Sequence, residues 1–148
     1  MPVTFSVATT VDELRCAAAV RAIVFCCGQR IPYDIEYDGH DEEAVHVIGM
    51  DDSEPVAAGR IRFIDGDAKL ERIAVRVPWR GRGIGHALVE FMIAAAAQRG
   101  YSQCRLNSQA HLQSFYETHG FRVCGEHFEE AGIDHVPMVR EGPVISDQ

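Results

Sequence analysis

The sequence lacks the cysteine pattern of a disulfide framework or of a zinc site. It contains five cysteines, an odd number, and no two of them form a Cys-x-x-Cys pair. Free thiols, most of them buried, in a reducing cytosol are therefore expected in place of redox or metal chemistry. We predict that the protein uses no metal.

Long apolar runs and an excess of positive charge are also missing. No apolar stretch approaches the ~20 residues needed to span a bilayer, and the N-terminus has no basic region followed by an apolar segment, so no signal peptide is predicted. The formal net charge is -8 at pH 7, whereas binding to a nucleic-acid backbone needs clustered Lys and Arg. We expect a cytoplasmic protein that binds neither membranes nor nucleic acids.

The length and composition fit one globular domain. The chain has 148 residues, of which 47% are hydrophobic and 24% charged, and this is enough to bury a core without disulfides. No internal repeat, low-complexity run or linker divides it. Residues 1–148 are therefore predicted to form a single domain.

The order of hydrophobic patterns predicts an α/β fold. Strands are predicted at 3–7, 44–50, 55–64, 68–75, 102–107, 121–128 and 135–140, and helices at 11–28, 84–98 and 111–118. Thr10-x-x-Glu13 is a capping box, and Asp65-Gly66 is a hairpin signal. The polar, aromatic and acidic segment 29–43 is predicted to be a functional loop or short helix. The expected architecture is a mixed, mostly antiparallel central sheet flanked by helices.

An arginine- and glycine-rich turn joins the strand ending at Val75 to the helix beginning at Ile84. Glycines let backbone N–H groups approach a phosphate, and a helix N-terminus adds unpaired donors and a positive dipole end. Arg80 and Arg82 add charge, so a pyrophosphate is the predicted guest. A P-loop and a dinucleotide fingerprint fit less well, because Gly85 is followed by His86 and a third glycine is missing. A purely structural turn with solvated arginines is the alternative.

Two motifs in this chain resemble those of the GNAT family of N-acetyltransferases. Arg80-x-x-Gly83-x-Gly85, after Ile73-Ala74-Val75, is similar to the family's acetyl-CoA-binding motif. Leu106-Asn107-Ser108-Gln109, followed by Ser114-Phe115-Tyr116-Glu117-x-x-Gly120-Phe121, resembles its second cofactor-binding region. The order of elements matches over nearly the whole chain, and segments 31–34 and 130–135 are similar to the ElaA-like bacterial branch.

The resemblance implies that acyl-CoA lies in a V-shaped opening between two splayed parallel strands, here 70–75 and 104–107. It implies that Tyr116 protonates the leaving thiolate, although a core aromatic is the alternative interpretation of this residue. The residues implied in cofactor binding are Ile73, Ala74, Val75, Arg80, Gly81, Arg82, Gly83, Ile84, Gly85, Asn107 and Tyr116.

The general base and the acceptor site are less well determined. Glu71 lies two residues before Ile73, is expected to share its strand face, and is the predicted base; a salt-bridged strand carboxylate is an equal alternative. Three histidines at positions 111, 119 and 135 are further candidates, because histidine titrates near neutrality. Tyr33 and Glu36, in the acidic segment, are predicted to attract a cationic amine, together with His135 at the start of the last strand. A merely solvated loop is the alternative.

These features predict an N-acetyltransferase that transfers an acetyl group from acetyl-CoA directly to an amine of a small molecule or peptide. A non-catalytic acyl-CoA-binding sensor is the alternative, since it would keep the turn and lack a working acid or base. The acceptor, the preferred acyl length and the formation of a homodimer stay open.

Overall fold

The computed structural model describes residues 2–142, so the two ends of the predicted 1–148 domain lie outside the described residues. The strands are β1 Thr4–Val7, β2 Val45–Asp51, β3 Glu54–Ile64, β4 Asp67–Val75, β5 Cys104–Gln109, β6 Arg122–Val123, β7 Phe128–Glu130 and β8 Ile133–Arg140. The helices are α1 Val11–Arg21, α2 Tyr33–Glu36, α3 Ile84–Gln98 and α4 Gln113–Glu117. Across the described range, no helix is both long and apolar enough to cross a membrane.

The strands form one mixed sheet, which confirms the predicted fold class. Its order is β1-β2-β3-β4-β5-β8-β6, and β7 pairs with β8. The β4–β5 pair is parallel, and the other pairs are antiparallel. The single parallel pair arises because α3 carries the chain from the end of β4 back to the start of β5.

A helix covers each face of the sheet. Apolar residues of α3, such as Leu88 and Met92, are fully buried in the larger core cluster. Gly59 on β3 allows this close approach, because a Cβ there would lie 2.4 Å from the Met92 sulfur. On the other face, Val20 of α1 packs in a second cluster with Ala74 of β4.

Local signals in the sequence explain where several elements begin and turn. The Thr10 hydroxyl accepts the Glu13 N–H at 3.1 Å, and the Glu13 carboxylate accepts the Thr10 N–H at 3.1 Å, so the capping box is confirmed. The first helix continues from α1 as a π-helical turn over Ala22–Gly28. At the predicted hairpin, Asp65 and Gly66 have φ values of 53° and 83°, as a tight two-residue turn requires.

Three predicted elements differ from the structure. The strand expected at 121–128 is two short strands, β6 and β7. Pro137 on β8 faces the gap between them and has no N–H to donate to a neighbouring strand, although its carbonyl accepts the Cys124 N–H at 2.9 Å. The helix expected at 111–118 is a 3₁₀ turn over Ala110–Leu112 followed by α4, and the strand expected at 102–107 is β5, two residues later.

Candidate active site

The sheet opens between its two parallel strands. β4 and β5 are paired only at Ala68 with Cys104 and Lys69 with Arg105. Beyond these residues β4 stays paired with β3, and β5 stays paired with β8. The two strands therefore diverge over 70–75 and 106–109, which confirms the V-shaped opening that the resemblance implies.

A β-bulge at Arg72 rotates the second half of β4. The register with β3 shifts between Ala58 and Arg60, and Arg72 has a φ of 53°, so β4 contains one extra residue. Leu70 consequently packs in the core under α3, whereas Ala74 packs in the core under α1. A regular strand would place residues four apart on the same face.

Because of this bulge, the expectation that Glu71 shares a strand face with Ile73 is wrong. Glu71 pairs with Arg60, which lies two residues after Ala58 and so shares its α1-facing side. Ile73 instead packs against the core under α3. Glu71 and Ile73 therefore do not share a strand face, because the inserted residue between them breaks the alternation.

A cavity of about 230 Å³ occupies the opening. Six of the predicted site residues line it: Glu36, Glu71, Ile73, Asn107, Tyr116 and His135. Tyr33 is not among its lining residues; it is 69% exposed and stacks on Tyr37 with ring centroids 5.9 Å apart. The opening thus brings together residues from α2, β4, β5, α4 and β8.

The turn after β4 leaves a helix N-terminus free to bind an anion. Gly81 and Gly83 both have φ of +79°, and a Cβ on either would meet no described atom within 4 Å, so conformation alone favours glycine at both positions. No side chain in the described range caps α3 at Gly83, and its first helical bond runs from Ala87 N to the Gly83 carbonyl. The N–H groups at 84–86 therefore have no partner within the helix.

The two arginines of this turn differ in their surroundings. Arg82 is exposed and is available to a bound anion. Arg80 donates from Nε to the Val75 carbonyl at 2.8 Å, so it also closes the turn back onto the end of β4. The turn is anchored further by Trp79, whose Nε1 donates to Asp51 at 2.8 Å.

Tyr116 presents a protonated phenol to the cavity. It is 6% exposed and packs edge-on against Phe115 and Phe121, at centroid distances of 5.0 and 6.0 Å. Burial raises the pKa of Tyr116 well above its ordinary value, because a phenolate is poorly solvated there. The phenol therefore holds its proton at neutral pH and is able to donate it.

His135 lines the cavity with one ring nitrogen hydrogen-bonded to the backbone. Its Nδ1 lies 2.7 Å from the Ile133 carbonyl oxygen, which can only accept, so Nδ1 carries the hydrogen. In the neutral ring Nε2 is then an acceptor. The ring is 8% exposed and stacks on Phe128 at 5.7 Å, so packing fixes the orientation of the side chain.

Glu71 has the wrong electrostatics for the predicted role of general base. Burial alone would raise its pKa, but the hydrogen bond from Arg62 and the charges of Arg60 and Lys69 outweigh burial and lower the pKa to about 2. A carboxylate stabilised in this way has little affinity for a proton. The structure instead supports the alternative of a salt-bridged strand carboxylate.

Arginines tie the acidic segment to the domain and neutralise three of its carboxylates, at Glu36, Asp38 and Asp41. Arg21, which is 3% exposed, contacts Glu36 and Asp41 at 2.7 Å. Arg60, which is fully buried, contacts Asp38 at 2.8 Å, and this hydrogen bond leads the causes that hold the pKa of Asp38 well below its usual range. Because Glu36 is neutralised in this way, the expected attraction of a cationic amine by Glu36 is not supported.

A chain of three polar side chains links α3 to the residues after α4. His86 Nδ1 lies 2.8 Å from His119 Nε2, and His119 Nδ1 contacts the Glu90 carboxylate. The ring of Phe115 lies 4.6 Å from that of His86. His119 was predicted only as an alternative base; its partners lie 29 and 33 residues away, which is why no local spacing reveals the chain.

A metal centre at this site would require several ligating side chains close together. Over residues 2–142, no group of three or more His, Cys, Asp or Glu side chains is arranged to hold a metal ion.

Comparison with known proteins gives a consistent assignment. Residues 29–141 match the family described as Acetyltransferase (GNAT) domain. The uncharacterized N-acetyltransferase YjcF of Bacillus subtilis is 38% identical over 136 residues, which cover 91% of this chain and 97% of that protein. A crystal structure of an acyl-CoA N-acyltransferase from Pseudomonas aeruginosa superposes with a TM-score of 0.86 at 29% identity, over 94% of this chain and 99% of that one.

The resemblance to ElaA-like proteins is also confirmed. Protein ElaA of Escherichia coli is 33% identical over 137 residues, covering 89% of this chain and 90% of ElaA. Its crystal structure has a TM-score of 0.85 at 28% identity, over 95% of this chain and all of the other. The motifs, the splayed sheet and these relatives agree, and the chain is therefore a member of the GNAT acetyltransferase family.

Proposed function

We propose that this protein is an N-acetyltransferase that uses acetyl-CoA and transfers the acetyl group directly to an amine of a small molecule or peptide. The observation that carries the proposal is the opening between β4 and β5. β4 leads from this opening into the free N-terminus of α3, and Tyr116 and His135 lie in the cavity wall. An anion site, a strand edge and an acid–base pair are thus combined in one cleft.

The residues of the cleft fit the parts of acetyl-CoA. The backbone amides of 81–85, with Arg82, suit the pyrophosphate, because they combine free donors with positive charge, whereas the Arg80 N–H of the predicted set already donates to the Val77 carbonyl at 3.1 Å. The edge of β4 that β5 leaves uncovered carries the backbone groups of Ile73 and Val75, which suit the amides of the pantetheine arm, whereas Ala74 between them faces its β3 partner Ala58. Asn107 on the opposite strand supplies a side-chain amide to the same arm.

The thioester supplies the acyl group, so that a nitrogen–carbon bond forms as the carbon–sulfur bond breaks. His135 takes a proton from the acceptor ammonium at Nε2, which leaves a neutral amine able to attack. Tyr116 donates its phenolic proton to the departing thiolate of CoA. It regains a proton from the acceptor nitrogen, which carries one proton too many after it has attacked the thioester. The overall reaction releases one proton, which is the proton that His135 removed from the acceptor ammonium.

Glu71 has a supporting role in this proposal. Its ion pairs with Arg60, Arg62 and Lys69 hold β3 and β4 together beside the bulge, and thereby hold the strand edge against which the cofactor lies. Glu36 likewise shapes the acceptor side through its pairing with Arg21.

The direct test is amine-dependent turnover. The protein is incubated with acetyl-CoA and a panel of amines, and released thiol and acetylated amine are measured by absorbance and mass spectrometry. Thiol release that requires both the amine and His135, with matching acetylated product, is the expected result. A folded protein that binds acetyl-CoA but acetylates no amine would contradict the proposal and indicate a binding module.

A further inference from the structure

The carboxylates that line the cavity differ in whether an arginine neutralises them. Glu36, Asp38 and Glu71 each pair with at least one arginine. Glu130 lines the same cavity, is exposed, and forms no ion pair with any residue in the described range. Glu130 is therefore the carboxylate of this wall whose charge is available to a ligand.

The β7–β8 hairpin points Glu130 and His135 to the same side. Glu130 is opposite Ile133 and Phe128 is opposite His135, and these four residues share one face because side chains alternate along a strand. Glu130 and His135 are diagonal neighbours, about 7–8 Å apart at their Cα atoms. A single ammonium group is able to contact both side chains at once.

The rest of the acceptor side is mostly apolar. Phe25, Ile31, Ile35, Leu112 and Ile133 line the cavity from four different segments. With a volume of about 230 Å³, it lies below the range of ~300–1,000 Å³ usual for drug-sized ligands. A small aliphatic or aromatic body fits these walls.

The other half-buried charges at this wall disfavour a second ammonium group. Lys69 and Arg72 both line the cavity from β4. Each is already paired with carboxylates, Lys69 with Glu71 and Arg72 with Glu36 and Asp38. A polyamine would bring another cation toward these two, and no further unpaired carboxylate of the described wall would receive it.

We propose that the acceptor is a small monoamine with an apolar body, whose ammonium group binds between Glu130 and His135. This inference rests on the proposed function and specifies its substrate class. Glu130 provides the counter-charge, His135 receives the proton, and the aliphatic and aromatic walls receive the body. Glu130 is thus a specificity-determining residue of the acceptor site.

The experiment compares substrates and two matched variants. Phenethylamine and hexylamine are tested against spermidine and kanamycin, in wild type, Glu130→Gln and Glu129→Gln. Glu129 is the matched control, because it is the adjacent carboxylate, pairs with Asp134 in the register and points to the opposite face of the hairpin. Steady-state KM values for the amine and for acetyl-CoA are measured separately.

We expect the monoamines to have the highest kcat/KM. Glu130→Gln should raise their KM by about tenfold, the loss typical of one hydrogen bond to a charged group, and leave the KM of acetyl-CoA unchanged. Glu129→Gln should change neither value. Preference for spermidine or kanamycin, or equal effects of the two variants, would overturn the inference.

A binding measurement that does not depend on turnover distinguishes a failure of this inference from a failure of the proposed function. Ligand-observed NMR with phenethylamine, in the presence of CoA, reports occupancy of the acceptor site directly. Binding that is lost in Glu130→Gln and kept in Glu129→Gln supports the acceptor site even if no amine is acetylated. Absence of phenethylamine binding to the wild type, with spermidine acetylated, overturns the inference and leaves the transferase intact.

Discussion

Arg60 and Glu71 face each other across β3 and β4, with Arg60 Nη2 2.8 Å from Glu71 Oε1. Arg60 is completely buried and also holds Asp38 and Asp41. The pair therefore joins the centre of the sheet to the acidic segment that covers it. Beside the bulge at Arg72, this contact fixes the wall of the cleft on the α1 side.

Replacement of Glu71 by Gln should lower the free energy of unfolding and make it depend less on pH under acidic conditions. The drop in pKa from 4.5 to about 2 corresponds to about 3 kcal/mol at neutral pH. Because the folded pKa is depressed, this contribution is complete above pH 4.5 and is lost as the pH falls toward 2. Urea denaturation between pH 7 and pH 2 measures it.

The control for this prediction is Glu42→Gln, which removes an exposed carboxylate of the neighbouring segment. It should leave the free energy of unfolding and its acid slope as in wild type. If Glu71→Gln has the same slope as wild type between pH 4.5 and pH 2, Glu71 does not carry the ion-pair contribution described above.

Gly83→Asp should abolish acetyl-CoA binding while the domain stays folded. A carboxylate at the N-cap of α3 is favourable for the helix but occupies and repels the site for pyrophosphate, and the positive φ costs about 1–2 kcal/mol. Gly66→Asp is the matched control, because Gly66 has a similar φ of +83° with no described atom near its Cβ and lies in a hairpin. Calorimetric titration of both variants measures binding, and equal affinities would remove the turn from the cofactor site.

Tyr116→Phe should lower kcat by about 10²-fold, within the range of a lost general acid, and leave the KM of acetyl-CoA nearly unchanged. The edge-on ring contacts with Phe115 and Phe121 survive the change, so the fold should be kept. Tyr101→Phe is the control, since Tyr101 stacks on Phe63 at 4.4 Å and does not line the cavity. Turnover of Tyr116→Phe at the wild-type rate would show that the phenol transfers no proton.

His119→Gln should weaken the link between α3 and α4. The change removes the contacts of His119 with Glu90 and His86, and we expect a loss of about 1–2 kcal/mol in unfolding free energy with a higher KM for acetyl-CoA. His127→Gln removes an exposed histidine–carboxylate contact away from this link, with Asp134 at 2.9 Å, and should do neither. An unchanged KM in His119→Gln would limit this chain of side chains to a structural role.

The sequence was sufficient for the elements that depend on local patterns. The capping box at Thr10, the turn at Asp65-Gly66 and the helix 84–98 each follow from residues close together in the chain. The family motifs similarly located the glycine-rich turn before α3 and the splay between β4 and β5. These features required no knowledge of distant contacts.

The remaining features depend on distant contacts or on strand register. The bulge at Arg72 moves Glu71 off the face of Ile73, and nothing in the local alternation of side chains indicates it. The arginine partners of the acidic segment lie as far away as Arg72, which is 36 residues after Glu36. For that reason the sequence suggested an anionic wall, whereas among residues 2–142 the cavity-lining carboxylate without an ion pair is Glu130.

The most direct measurement of the central claim is a calorimetric titration of the wild-type protein with acetyl-CoA, with adenosine 3′,5′-bisphosphate and NAD as comparison ligands. We predict that acetyl-CoA binds more tightly than the bisphosphate, because the pantetheine arm adds contacts along β4, and that NAD does not bind. If the folded protein binds acetyl-CoA no better than it binds NAD, the turn at 80–85 is only structural, and the account of this cleft as an acetyl-CoA site is wrong.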